Sequence, residues 1–205
     1  SNKNIHELKC DDYNIIKISK NFFYNYPNLQ LISLKNNKLK KISKHFLYFA
    51  NLTQMFFDNN EITYIPTWIH NFKHLNTLSL SFNYIEYFPL NLTKLNSLQT
   101  LNIAYNKIKA IPFEIMNLNK LKTLFFNSNY FEELPTSLGI MNSLNKITLG
   151  WFEFVDLNEI IKPKQSIIAN VNGVLFGNND LQKMNNNNNS SGNCDNTINT
   201  NPNRN

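Results

Sequence analysis

Apolar residues recur along this chain in a fixed frame. Leu29, Ile32 and Leu34 are followed by Asn37 and Leu39, and 23 residues later Leu52, Met55 and Phe57 are followed by Asn60 and Ile62. The frame returns as Leu75, Leu78, Leu80, Asn83 and Ile85, then as Leu98, Leu101, Ile103, Asn106 and Ile108, and again as Leu121, Leu124, Phe126, Asn129 and Phe131. Its alternation of apolar and polar residues predicts a short strand with one buried face. One such turn cannot bury that face alone, but stacked copies can, so the repeat predicts a parallel sheet with strands about 4.8 Å apart. Each repeat asparagine is expected to turn inward, where its amide can satisfy backbone groups that the tight turn leaves without partners. The second half of each turn carries Ile65-Pro66, Phe88-Pro89, Ile111-Pro112 or Leu134-Pro135 at one position, with Ile42-Ser43 in the earlier turn. Proline at the first position of a short helix is expected there. The stripe Ile69/Phe72, Leu92/Leu95, Ile115/Leu118 and Leu138/Met141 should be its buried side.

Five matches to the pattern LxxLxLxxNxL in one register resemble the leucine-rich repeat family, over about residues 5–154. The resemblance implies an α/β fold: a leucine-rich repeat solenoid, or horseshoe, with a concave parallel β-sheet and short convex helices. It also implies a non-enzymatic module that binds another protein through the concave face. The 23-residue form with its Ile-Pro step is similar to the repeats of intracellular Ras-pathway scaffolds. That similarity implies a cytoplasmic signalling scaffold or regulatory subunit, acting as a monomer, with a small GTPase or a phosphatase as partner.

The ends depart from the frame. The first turn, with Ile5, Leu8, Cys10, Ile15 and Ile18, is one residue longer and has Tyr13 at the asparagine position. The seventh begins Leu144, Ile147, Leu149 and has Phe152 in place of asparagine. Atypical terminal repeats are expected because they cap the core. The chain therefore divides into a repeat domain at 1–155, a C-terminal cap at 156–184 and an Asn-rich tail at 185–205 that is expected to be disordered.

Charge and composition narrow the function. The net charge is +6 with a pI near 9.2. The densest basic stretch, Leu34–His45, holds Lys35, Lys38, Lys40, Lys41 and Lys44 without an arginine. It is expected to be solvated surface, since a polyanion footprint would gain from interleaved arginine. Cys10 sits at an apolar repeat position and Cys194 in the tail, so no disulfide framework is expected, which points to a reducing compartment. No apolar run approaches the ~20 residues of a membrane helix. Neither nucleic acid nor a membrane is expected as a partner.

Catalytic and metal motifs are not evident. His70 and His74 form an HxxxH pair, but Asn71 stands where a zinc protease has glutamate and no third ligand is placed. Gly173 and Gly177 lack a following GK[ST], and the pairs Asp11-Asp12 and Glu132-Glu133 suit solvated surface. No enzyme, cofactor or metal is expected. The rows that face outward between buried strand positions place Phe56, Phe82, Tyr105, Phe125 and Trp151 on one face. Aromatic anchors among small polar residues suit a protein interface. Phe56 and Phe125 stand out because adjacent turns are polar in that row. Phe82 and Tyr105, each just before a repeat asparagine, could instead pack as a structural ladder, and Trp151 could seal the cap. Two alternatives are an extracellular recognition domain, for which Asn51-Leu52-Thr53 and Asn91-Leu92-Thr93 supply glycosylation sequons, and the targeting region of a larger enzyme.

Overall fold

The computed structural model describes residues 4–132 and 134–148, together with the backbone of Ile198–Thr200. Trp151, the expected cap at 156–184 and the tail apart from 198–200 lie outside the described residues. Seven short strands, β1 (Glu7–Lys9), β3 (Leu31–Ser33), β4 (Gln54–Phe56), β5 (Thr77–Ser79), β6 (Thr100–Asn102), β7 (Thr123–Phe125) and β8 (Lys146–Thr148), form one parallel sheet in chain order. The register carries the repeat directly, with Leu31, Gln54, Thr77, Thr100, Thr123 and Lys146 side by side. Glu7 pairs with Leu31, which absorbs the extra residue of the first turn. The middle residue of every strand (Leu8, Ile32, Met55, Leu78, Leu101, Leu124, Ile147) points into a single continuous core.

The opposite side of the stack is lined by one-turn elements. These are α1 (Phe22–Asn25), 3-10 helices at Lys44–Tyr48, Thr67–Asn71, Leu90–Lys94 and Phe113–Asn117, and α2 (Ser137–Ile140). Pro66, Pro89 and Pro112 stand one residue earlier than expected. Each is the extended cap before its helix, with φ of −69°, −79° and −70°. The proline ring fixes φ near that value. The carbonyl of each then accepts the first helical bond, from Ile69, Leu92 or Ile115, at 2.9–3.0 Å. In the first turns the core under these elements is aromatic. Phe23 meets Phe46 edge to face at 5.1 Å between ring centroids, and Phe46 meets Phe57 at 5.4 Å.

Between strand and helix the asparagines form the expected inward ladder. Asn37, Asn60, Asn83 and Asn106 are buried and Asn129 is half-buried. In every case Oδ1 accepts a backbone N–H from the preceding turn: Ile15, Leu39, Ile62, Ile85 and Ile108 in order, at 2.8–3.0 Å. Nδ2 donates to the preceding turn and back to its own. Asn83 reaches Phe57 O at 2.9 Å and Leu80 O at 3.1 Å. The residue before each asparagine has positive φ: Asn36, Asn59, Phe82, Tyr105 and Ser128, at 53–56°. That bend aims the amide inward.

Two features differ from the sequence expectation. Cys10 is fully buried and disulfide-bonded, where the sequence points to no disulfide framework. In the tail, β9 (Ile198–Thr200) pairs antiparallel with β2 (Ile15–Ile18), a strand outside the main sheet. Three residues of the tail thus carry a strand. Backbone pairing with β2 supplies what their polar surroundings cannot.

Asn83→Ala leaves the Ile62 N–H and three carbonyls (Phe57, Leu80 and Ser81) without this partner, so it should lower the unfolding free energy by roughly 1–3 kcal/mol. Leu78→Ala, at a site with no exposed surface, should cost about 2–5 kcal/mol through the cavity it leaves. Urea unfolding followed by circular dichroism measures both. A wild-type midpoint for Asn83→Ala would exclude a structural ladder.

Candidate protein-binding site

The concave face is built from the outward residues of the seven strands and the bend that follows each. At the N-terminal end these residues bond largely to one another. The Asp11 Oδ1 accepts from the Ser33 hydroxyl and the Lys35 N–H, both at 2.7 Å. Two turns further on, Asp58 Oδ1 accepts from the hydroxyls of Ser79 and Ser81 and from the Ser81 N–H. The Lys35 ammonium lies 3.9 Å from Asp58 Oδ2 and 4.8 Å from the centroid of the Phe56 ring. Near the other end Asn127 Oδ1 accepts from the Thr148 hydroxyl at 2.9 Å. This cross-turn pairing escapes a search for catalytic motifs. Its sequence signal is an Asp or Asn at the strand exit and a Ser or Thr 21–22 residues later.

The candidate aromatics divide into two kinds. Phe56 and Phe125 are half-buried, each beneath a lysine, with Lys146 5.1 Å from the Phe125 centroid. Such contacts hold the rings and the cations together and reduce the apolar surface on offer. Phe82 and Tyr105 are 40% and 41% exposed and stack face to face, with centroids 4.1 Å apart and planes 8° from parallel. They thus form both a ladder with each other and an open aromatic platform. Each also has φ near 54°, a region that Asn, Asp or Gly occupies more readily than a bulky residue. Asn36 and Asn59 hold that position two turns earlier and bond through their side chains at 2.9 Å. Around the platform, β5 to β7 present only neutral groups: Thr77, Ser79, Thr100, Asn102 and Thr123 in the strands, with Ser81, Ala104 and Asn127 after them. The charged residues of this face, Glu7, Lys9, Asp11, Asp12, Lys35, Asp58 and Lys146, lie on either side.

On the convex side His70 Nδ1 is bonded to Thr67 O at 2.7 Å and His74 is exposed. Among the described residues no three His, Cys, Asp or Glu side chains group as metal ligands. No helix among them is long and apolar enough to cross a membrane. Nothing in these residues points to catalysis.

Comparison with known proteins places this architecture. A family model described as "Leucine-rich repeat region" matches residues 67–162. No curated protein sequence matches the chain. An internalin from Listeria monocytogenes is similar in fold, with a TM-score of 0.69 and 21% identity over 80% of this chain and 47% of its own. A leucine-rich repeat protein of Leptospira interrogans gives a TM-score of 0.63 and 26% identity over 80% of this chain and 48% of its own. The plant peptide hormone receptor RGFR1, solved in complex with RGF2, gives 0.61 and 24% identity over 70% of this chain and 24% of its own. The chain thus spans about half the length of the first two structures and a quarter of the third. The five-fold frame, the asparagine ladder, the stacked parallel sheet and the family match agree: this chain folds as a leucine-rich repeat solenoid and is similar to leucine-rich repeat proteins.

Proposed function

We propose that the chain is a non-enzymatic binding module that takes up a segment of another protein on the concave face between β5 and β7. The observation that carries this is the Phe82–Tyr105 pair, exposed and held at positive φ where smaller residues cost less. Exposed rings rimmed by hydroxyl and amide groups form an apolar anchor with hydrogen-bonding neighbours, as at protein interfaces. The neutral surroundings favour a partner segment without charge at its centre. A signalling scaffold or regulatory subunit fits this role, with a small GTPase or a phosphatase as the partner suggested by the resemblance of the Ile-Pro step. Phe82 and Tyr105 replace Phe56 and Phe125 as the leading contacts, because the latter are covered by lysines.

A second role, extracellular recognition, is favoured by the disulfide at Cys10. RGFR1, which is similar in fold, is seen in complex with RGF2. Alkylation of protein drawn from its native cells, followed by mass spectrometry, separates the two roles: blocked thiols favour the extracellular one and free thiols the intracellular one.

In Phe82→Asn/Tyr105→Asn the lost stacking, about 0.5–1.5 kcal/mol, is offset by relief of a left-handed backbone that costs a bulky residue roughly 1–2 kcal/mol. Its unfolding midpoint should stay close to wild type while capture of the protein partner in a pull-down falls at least tenfold. Capture at the wild-type level would place the site elsewhere. Phe56→Ala, by contrast, should lower stability by about 1 kcal/mol through lost apolar burial, with a smaller effect on capture.

A further inference from the structure

From Tyr13 to Phe57 the chain holds seven lysines and neither aspartate nor glutamate. The fold separates them. Lys35 turns to the concave face and meets Asp58. The other six, Lys17, Lys20, Lys38, Lys40, Lys41 and Lys44, are all exposed, and among the described residues none is in an ion pair. The ladder fixes their relation. Ile15 N binds Asn37 Oδ1 as Leu39 N binds Asn60 Oδ1, so residues 24 apart are equivalent in the first two turns. Lys17 and Lys41 therefore hold the same place on neighbouring turns, as do Lys20 and Lys44. Tyr24 and Tyr48 are equivalent in the same way, and their rings touch at 5.2 Å with both residues half exposed. The Tyr24 hydrogen bond and charge hold the Tyr48 hydroxyl above its ordinary pKa, and Lys20 opposes that shift. The pattern ends at the third turn, where Glu61, Thr63, Tyr64 and Thr67 take the lysine positions.

Like charges at equivalent positions of stacked turns disfavour the fold. Nothing in the core or the ladder requires them, and an external polyanion would relieve them. We propose that the lysines of the first two turns, with the Tyr24–Tyr48 pair and Ile16 beside them, dock this edge of the solenoid onto an anionic lipid bilayer. Lysine clusters of this size are drawn to such surfaces by charge density and need no directed contacts. No arginine occurs among the described residues, so the forked, bidentate donor that suits nucleic-acid recognition is absent there. Exposed tyrosines and Ile16, 38% exposed, give the patch the amphipathic rim of an interfacial anchor. This edge lies apart from the concave aromatic platform, so protein capture and bilayer docking can be tested separately.

The test is sedimentation of the full chain with phosphatidylcholine vesicles made with and without phosphatidylserine. Binding should require phosphatidylserine and weaken as salt rises. Each lysine removed should lower partitioning roughly fivefold, so Lys17→Ala/Lys41→Ala should lower it about 25-fold. Lys120→Ala/Lys122→Ala, the same charge change elsewhere on the molecule, should lower it far less. Tyr24→Ser/Tyr48→Ser should weaken binding without abolishing it. Failure to bind, equal binding to neutral vesicles or an equal loss in the control pair would overturn the proposal. So would patch-dependent binding of a DNA duplex without vesicle binding.

Discussion

The amide of the repeat asparagine is the interaction on which the stack depends. A turn sharp enough to repeat every 23 residues leaves backbone N–H and C=O groups inside the molecule without strand or helix partners. One side chain with donors and an acceptor in fixed geometry meets both needs, and it does so across the boundary between turns. Each amide binds its own bend and the turn before it. A buried group left unpaired costs about as much as a good hydrogen bond contributes. The ladder therefore fixes the register of each turn as well as its shape, and the in-register row of strands follows from it.

The ladder also imposes a positive φ on the residue that precedes it. At Asn36 and Asn59 that demand costs little, and the two side chains bond to each other. At Phe82 and Tyr105 it costs more and yields an exposed stacked pair. The same backbone bend thus holds a structural rung in one half of the solenoid and the best candidate contact surface in the other. Polar residues between the strands follow a similar division. The acidic groups of the first turns are occupied by hydroxyls and backbone amides of the next turn, whereas the middle of the sheet offers uncharged groups around two open rings.

Charge is segregated as sharply as polarity. Acidic side chains of the first turns lie on the concave face. The exposed lysines of the same stretch lie on the edge, where two successive turns carry lysine at the same two repeat positions, Lys17/Lys41 and Lys20/Lys44. A surface of this kind adds nothing to the core and sets one end of the solenoid apart from the rest.

The sequence by itself determined the in-register strands of the main sheet, the inward asparagines and the buried stripe of each convex segment. All of these come from short-range spacing repeated in register, and stacking converts such spacing directly into neighbours. Helix type and the position of proline were less legible, because a one-turn element is decided by where its first carbonyl bond closes, as Pro66 and Pro89 show. Only the tertiary structure decided which exposed aromatics are free. Lys35 covering Phe56 and Lys146 covering Phe125 join residues about one turn apart whose long side chains could have pointed elsewhere, and the stacking of Phe82 on Tyr105 depends on a backbone bend that no residue type at those positions announces. The ladder converts the extra residue of the first turn into neighbours, setting Lys17 and Lys20 beside Lys41 and Lys44.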